Sequence, residues 1–253
     1  MSGAPFAFIG EPTPVIREPT PDHTGWRASA KEAQSMRDLH CHILPGVDDG
    51  ARDLQESLRM LEAAKAAGIT RITCTPHCRD PYFDFDKMWD AYHLLVAHAA
   101  GFPLQMGFEV NHVKLMELGM DWAQRLHYDG SNEFLLELEV GASELDFQEY
   151  ARTIYELQGM GYEVIIAHPE RYRAIQRRPE LARELMKMGC KLQASADFIV
   201  GGRGGGKDKK TARRLFDDLD YRYIASDAHR PEHYKWFAKA QASYQVRGAH
   251  MSL

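Results

Sequence analysis

The chain has 253 residues, 44% of them hydrophobic, and a formal charge of −5; that length buries one sizeable core, and the acidic balance offers no basic footprint for nucleic acid. No run of about 18 apolar residues is present to span a bilayer, and the N-terminus lacks the basic start and apolar stretch of a secretory signal. The four cysteines, Cys41, Cys74, Cys78 and Cys190, form no C-x-x-C pair, which excludes a zinc knuckle of that type, gives no disulfide framework and fits a reducing cytoplasm.

Residues 1–35 carry Pro5, Pro12, Pro14, Pro19 and Pro21 with little sustained period, and are read as an irregular Pro-rich extension. From Met36 onward short apolar runs alternate with longer helical patterns, which predicts βα units and a mainly parallel sheet. The strands are expected at Met36–Leu39, Ile69–Thr75, Leu104–Phe108, Phe134–Leu138, Glu163–Ala167, Lys191–Ala194 and Arg222–Ala225. Between the first two, Leu54, Leu58, Leu61 and Lys65 follow helical spacing and Gly68 can close the helix. Ser143 is expected to cap a helix running toward Gly159, Pro179 to open one ending near Gly189, and Lys207–Leu219 to form another.

Chemistry-bearing residues fall at the ends of these strands. His40 and His42 are two apart, so an extended backbone points both imidazoles the same way; Asp48 and Asp49 follow within ten residues. The turn Val47–Gly50 could simply present an aspartate cap to the next helix, but a cap does not account for the histidine pair. His77 follows Ile72–Pro76, His168 follows Val164–Ala167, and Asp227 and His229 follow the last strand. Glu109 and Glu137 end apolar runs, where a carboxylate is costly to bury without a partner. Glu139 shares the face of Glu137, which is favoured because it lies closer to the apolar run. Any of these alone has an ordinary structural reading. Their recurrence at successive strand ends predicts oxygen and imidazole ligands gathered at the carboxyl face of a barrel, suited to Mn, Fe or Zn with positions left open for water.

Gly201–Lys207 approaches a phosphate-binding loop, but Asp208 stands where a Ser or Thr is required, so it is read as a βα loop near the site. Tyr82, Phe83 and Phe85 are read as packing groups.

The order H-x-H, Asp, T-P-H, Glu, Glu, His168–Tyr172 and Ser226–His229 resembles the PHP (polymerase and histidinol phosphatase) superfamily. Asp38–Gly50 and His168–Tyr172 are similar, within it, to the bacterial manganese-dependent tyrosine-protein phosphatases of capsule and exopolysaccharide systems. The resemblance covers about residues 36–245 and implies a distorted seven-stranded (β/α) barrel, over a domain spanning 36–253, and hydrolysis of phosphotyrosine on a protein, expected to be a bacterial tyrosine kinase. The alternatives are a small-molecule phosphatase, such as one acting on histidinol phosphate, and a non-catalytic metal-stabilised regulatory module. It further implies three divalent metals, expected to be Mn with Fe, Zn or Mg as alternatives. His40, His42, Glu109 and Asp227 would hold the first, Glu109, Glu137 and His168 the second, and Asp49, His77 and His229 the third. Arg171 matches an arginine that binds phosphate. The family's second arginine follows the last motif after a short insert, whereas Arg230 follows His229 at once, which leaves its equivalence open. A homo-oligomer is compatible with this reading.

Overall fold

The computed structural model describes residues 36–203, 206–218 and 221–246; the extension expected at 1–35 lies outside them. The fold is α/β, with a curled parallel sheet and helices packed against it. Among the described residues there are nine strand segments: β1 Arg37–Cys41, β2 Arg71–Cys74, β3 His77–Cys78, β4 Leu104–Met106, β5 Glu109–Asn111, β6 Glu133–Glu137, β7 Glu163–Ala167, β8 Lys191–Ser195 and β9 Tyr223–Ala225. They pair in the orders β1-β2-β4 and β3-β5-β6-β7-β8-β9, with every strand pair parallel.

Nine segments stand where seven strands were expected because strand pairing resumes beyond the expected ends at Thr75 and Phe108, as β3 and β5. Thr75-Pro76 separates β2 from β3, and a proline has no N–H to give the ladder. Gly107-Phe108 separates β4 from β5. The breaks are bridged by Gly107 N–H to Cys74 O (2.9 Å) and Glu109 N–H to Pro76 O (3.1 Å), so the two sheets remain in register across them. At the other limit, Asp227 N–H reaches His40 O and His42 N–H reaches Ala228 O, both at 2.9 Å, which ties the end of β1 to the segment after β9.

Strand parity sorts the interior. Phe134, Leu136, Val164, Ile166, Leu192 and Ile224 face the helices in the main core, whereas Leu135, Ile165, Ala167, Tyr223 and Ala225 join Leu39 and Tyr128 on the concave side. Glu137 is two residues beyond Leu135, so the pleat that turns Leu135 inward also turns Glu137 inward. The sheet is therefore apolar at its base and ionisable at its carboxyl end.

The helix Leu54–Ala66 is capped by Asp53, whose side chain accepts from Glu56 N. Asp48 and Asp49 are thereby free of the capping role. Ser143 does not cap the helix toward Gly159: that helix spans Phe147–Gly159, and Ser143 instead gives its N–H and hydroxyl to Asp146. Pro179 directly precedes Glu180–Lys187, and the last predicted helix spans Gly206–Asp217. No described helix is long and apolar enough to cross a membrane.

Candidate metal centre

Each of the nine residues proposed as ligands from the sequence is drawn to the carboxyl end of the curled sheet. Glu109, at the start of β5, sits in the middle and is buried. Its Oε2 is 3.4 Å from His40 Nε2, 3.4 Å from His42 Nε2 and 2.7 Å from His77 Nδ1, and its Oε1 is 2.7 Å from His168 Nε2. The two imidazoles of the H-x-H pair face each other with Nε2 atoms 3.2 Å apart. Asp227 Oδ1 lies 3.8 and 3.6 Å from those nitrogens. On the far side, Asp49 Oδ1 is 3.2 Å from His77 Nε2 and 3.4 Å from His229 Nε2. Glu137 Oε1 is 3.8 Å from His168 Nε2.

These donors form overlapping groups: His40 with His42 and Glu109; His77 with Glu109 and Glu137; and His42, Asp49, His77 and His229. His42 and His77 thus stand close enough to serve more than one group, a sharing that the one-role-per-histidine division from the sequence does not contain. Glu139 is in none of these groups: Asn111 Nδ2 donates to it at 2.6 Å and to Glu137 Oε2 at 3.4 Å, and of the two carboxylates Glu137 is almost fully buried.

The chemistry of the donor set fits divalent cations. Buried side-chain atoms ordinarily find a hydrogen-bond partner, yet His77 Nδ1, Glu109 Oε2 and His168 Nδ1 have none. Glu109 Oε2 and His77 Nδ1 approach to 2.7 Å without hydrogen-bond geometry, so they converge on common space rather than on each other. The ring orientations are fixed from behind. His40 Nδ1–H donates to Gln193 Oε1 at 2.8 Å, His42 Nδ1–H to Asp48 Oδ2 at 2.8 Å, and His229 Nδ1–H to the Asp227 carbonyl at 3.0 Å. In each case Nε2 is left with its lone pair toward the cluster, the arrangement in which an outer partner orients a metal-binding imidazole.

Without metal, protons take the place of cations. Burial pushes the His40 imidazole down, but Glu109 and Asp227 together raise it to about 9. Burial likewise opposes charge on His77, which Glu109 and Asp49 raise to about 10. Burial pushes the Glu109 carboxyl up, and the charges of His40 and His77 outweigh it, holding the group well below the carboxylate range. Glu137 is raised to about 7 by burial and by Glu109. His168 is lowered to about 4 by burial and by Arg171.

The backbone is strained where the site requires it. His168 (φ 28°) and Asp227 (φ 48°) occupy positive φ without being glycine, at a typical cost of roughly 1–3 kcal/mol each. Both follow strand ends, and the unusual turn aims their side chains back over the sheet. Gly50 permits the Asp48–Asp49 turn to close on β1: a Cβ there would lie 2.0 Å from His42 O.

Arginines border the cluster. Arg171 Nη1 is 3.5 Å from His168 Nε2 and 4.0 Å from Asp227 Oδ2. Arg230 is turned the other way, its guanidinium on the carbonyls of Asp49, Gly50 and His229 and 3.9 Å from Glu56. The guanidinium beside His229 and Asp227 is that of Arg203, which the sequence motifs did not single out. Arg203 is held by Asp197 at 2.7 Å and by the Asp227 carbonyl at 2.8 Å, with Nη1 3.5 Å from His229 Nδ1. The sequence signal for it was the glycine-rich run, placed near the site as a loop. Gly202 lets that loop approach, since a Cβ there would meet the Trp236 ring at 2.6 Å and Asp197 Cβ at 2.7 Å. Arg79 Nη2 lies 3.1 Å from His77 Nε2, and Tyr82 stacks on His77, whereas Phe83 and Phe85 pack on Phe108 and Trp122. The cysteines are buried; burial pushes the Cys41 and Cys74 thiols well up and Cys190 to about 12, which makes them poor nucleophiles.

A curled parallel sheet with imidazole and carboxylate clusters at its carboxyl end is the architecture of a metal-ion hydrolase. The family is more specific than that: residues 36–244 match the model described as capsular polysaccharide synthesis, CpsB/CapC, and the chain belongs to this family. It is 31% identical over 202 residues to the putative tyrosine-protein phosphatase CapC of Staphylococcus aureus, covering 77% of each chain. It is also 31% identical over 201 residues to the tyrosine-protein phosphatase YwqE of Bacillus subtilis strain 168, again covering 77% of each. Among solved structures, one described as YwqE from Bacillus subtilis and CpsB from Streptococcus pneumoniae, unique metal-dependent tyrosine phosphatases, superposes with a TM-score of 0.68 at 26% identity, covering 86% of this chain and 96% of that one.

Proposed function

We propose that this chain is a metal-dependent protein-tyrosine phosphatase acting on a phosphotyrosine protein, in particular a tyrosine kinase of a bacterial polysaccharide system. The observation that carries the reading is the gathering of His40, His42, Asp49, His77, Glu137, His168, Asp227 and His229 with the buried Glu109 carboxylate, whose Oε2 has no hydrogen-bond partner. The finer assignments belong to the same reading: three divalent ions, Mn first among them; nine strand segments understood as seven broken strands of a distorted barrel; residues 36–253 as the catalytic domain, preceded by 1–35; and a cytoplasmic location.

Metal ions bound there would supply a water of lowered pKa and positive charge toward the phosphoryl oxygens. The chain's own residues do the rest. Glu109 separates and positions the imidazoles. Gln193 and Asp48 hold the Nε2 lone pairs inward. Arg171, charged and projecting beside His168, donates to the phosphate oxygens. Arg203, anchored by Asp197, offers a second guanidinium, 3.6 Å from the same Asp227 Oδ2 that Arg171 approaches to 4.0 Å, in the role that chain order suggests for Arg230. No thiol takes part, because each is buried and protonated.

Phosphate release with added Mn, measured on phosphotyrosine peptides, phosphoserine peptides and histidinol phosphate, tests the reading. Phosphotyrosine is expected to be preferred. Turnover confined to histidinol phosphate, or turnover undiminished after complete metal removal, refutes it.

A further inference from the structure

A concavity of about 730 Å³ is lined by Arg173, Gln176, Arg177, Lys207, Lys210 and Arg214 with Pro179 and Thr211. Arg214 is held by Glu180 at 2.9 Å, and Asp208 is engaged by Gln176. Among the described residues, Arg173, Arg177, Lys207 and Lys210 make no ion pair. A protein of formal charge −5 thus gathers four cations without an ion pair around one cleft, with Asp208 the carboxylate beside them, and the excess of like charge favours a bound anion.

The cleft is tied to the segment that carries Arg171. Its first wall, the helix Arg173–Arg177, begins two residues after Arg171. Its second wall, the helix Gly206–Asp217, follows the loop that carries Arg203. Gln176 on the floor donates to the carbonyls of Glu170 at 3.0 Å and Arg171 at 3.4 Å. The two segments that bring arginines to the metal centre therefore lead directly into the two walls. Among the described residues no aromatic side chain lines the cleft, and these residues offer no platform for stacking a nucleobase. Its volume greatly exceeds one carboxylate, and the long lysine and arginine stems let the charges follow an irregular chain.

We infer that this cleft binds an acidic peptide segment adjoining the phosphotyrosine, so that carboxylates flanking the target residue set substrate choice. The inference rests on the phosphatase reading for its link to turnover, but not for binding itself.

Two phosphotyrosine peptides differing only in flanking glutamates or glutamines test it, with wild-type protein and a variant carrying Arg177→Gln, Lys207→Gln and Lys210→Gln. Wild type is expected to show a KM lower by about tenfold for the glutamate peptide, the combined effect of three ion pairs of solvent-exposed strength. The advantage should shrink in about 0.5 M salt and the KM ratio should fall toward one in the variant. An equal ratio in wild type and variant overturns the inference. Fluorescence anisotropy of an unphosphorylated glutamate peptide provides a readout free of turnover. If no phosphotyrosine peptide is hydrolysed but this peptide binds wild type and not the variant, the phosphatase reading fails and the cleft stands. If inorganic triphosphate binds and the peptide does not, the cleft takes small polyanions and the inference is wrong.

Discussion

Asp48→Asn isolates what holds the histidine pair in place. The Asp48 carboxylate is buried and accepts three times: from His42 Nδ1–H at 2.8 Å and His77 N–H at 3.1 Å on Oδ2, and from Gly50 N–H at 2.9 Å on Oδ1. An amide of the same shape has one acceptor atom. With its oxygen on His42 and His77, the NH2 confronts the Gly50 N–H; turned over, it confronts both other donors. In either pose a hydrogen bond to a charged group is lost, worth about 1.5–3 kcal/mol, and the His42 ring loses its anionic partner. Loss of such an outer partner weakens metal binding by about 10- to 100-fold, so about 2 kcal/mol is expected, near thirtyfold in affinity. Competition against a chelator of known affinity measures it, with thermal melting of the metal-free protein as a control. The reasoning is refuted if Asp48→Asn binds metal as tightly as wild type, or if it loses stability alone.

His77→Ala should lower bound metal and kcat together, because it removes a nitrogen from the cluster, whereas Arg171→Ala should keep its metal and weaken vanadate and substrate by about 2 kcal/mol; elemental analysis beside inhibition kinetics separates the two, and the reverse pattern contradicts the site map. Arg203→Ala should impair turnover more than Arg230→Ala, since only Arg203 faces the cluster; equal losses would remove its assigned role. Adding Mn to metal-free protein at pH 7 should release protons, because His40 and His77 hold theirs to about 9 and about 10 and must be deprotonated to bind metal; calorimetry in buffers of different ionisation enthalpy detects this. Both folded values lie above that of an unfolded histidine, so their contribution to metal-free stability is complete below about pH 6.5 and is lost as pH rises through about 9 to 10. A melting temperature of the metal-free protein that rises across this interval would show that these two protonated rings do not govern its alkaline stability.

The α/β class, and which acids and imidazoles gather at the carboxyl end of the sheet, were legible in the order of amino acids alone. Apolar runs alternating with helical periods dictate a parallel sheet, and an acid or imidazole at the end of an apolar strand has few ways to be buried except in company. Parity left Glu137 and Glu139 on one face, and closeness to the apolar run favoured Glu137, the one that is buried. That strand pairing resumes at His77 and Glu109 was not legible, because the apolar runs end at Thr75 and Phe108 and the hydrogen bonds across the gaps are completed by other segments. The positive φ angles of His168 and Asp227 were equally hidden, since neither residue type demands them. Gln193 orients His40 across 153 residues, and Arg203 rather than Arg230 faces the metal cluster although Arg230 adjoins His229 in the chain. Both outcomes depend on how the folded chain brings distant segments together. A side chain's partner is set by which loop ends arrive at the same place, and local periodicity carries the direction of a strand but not the reach of the loops that meet above it.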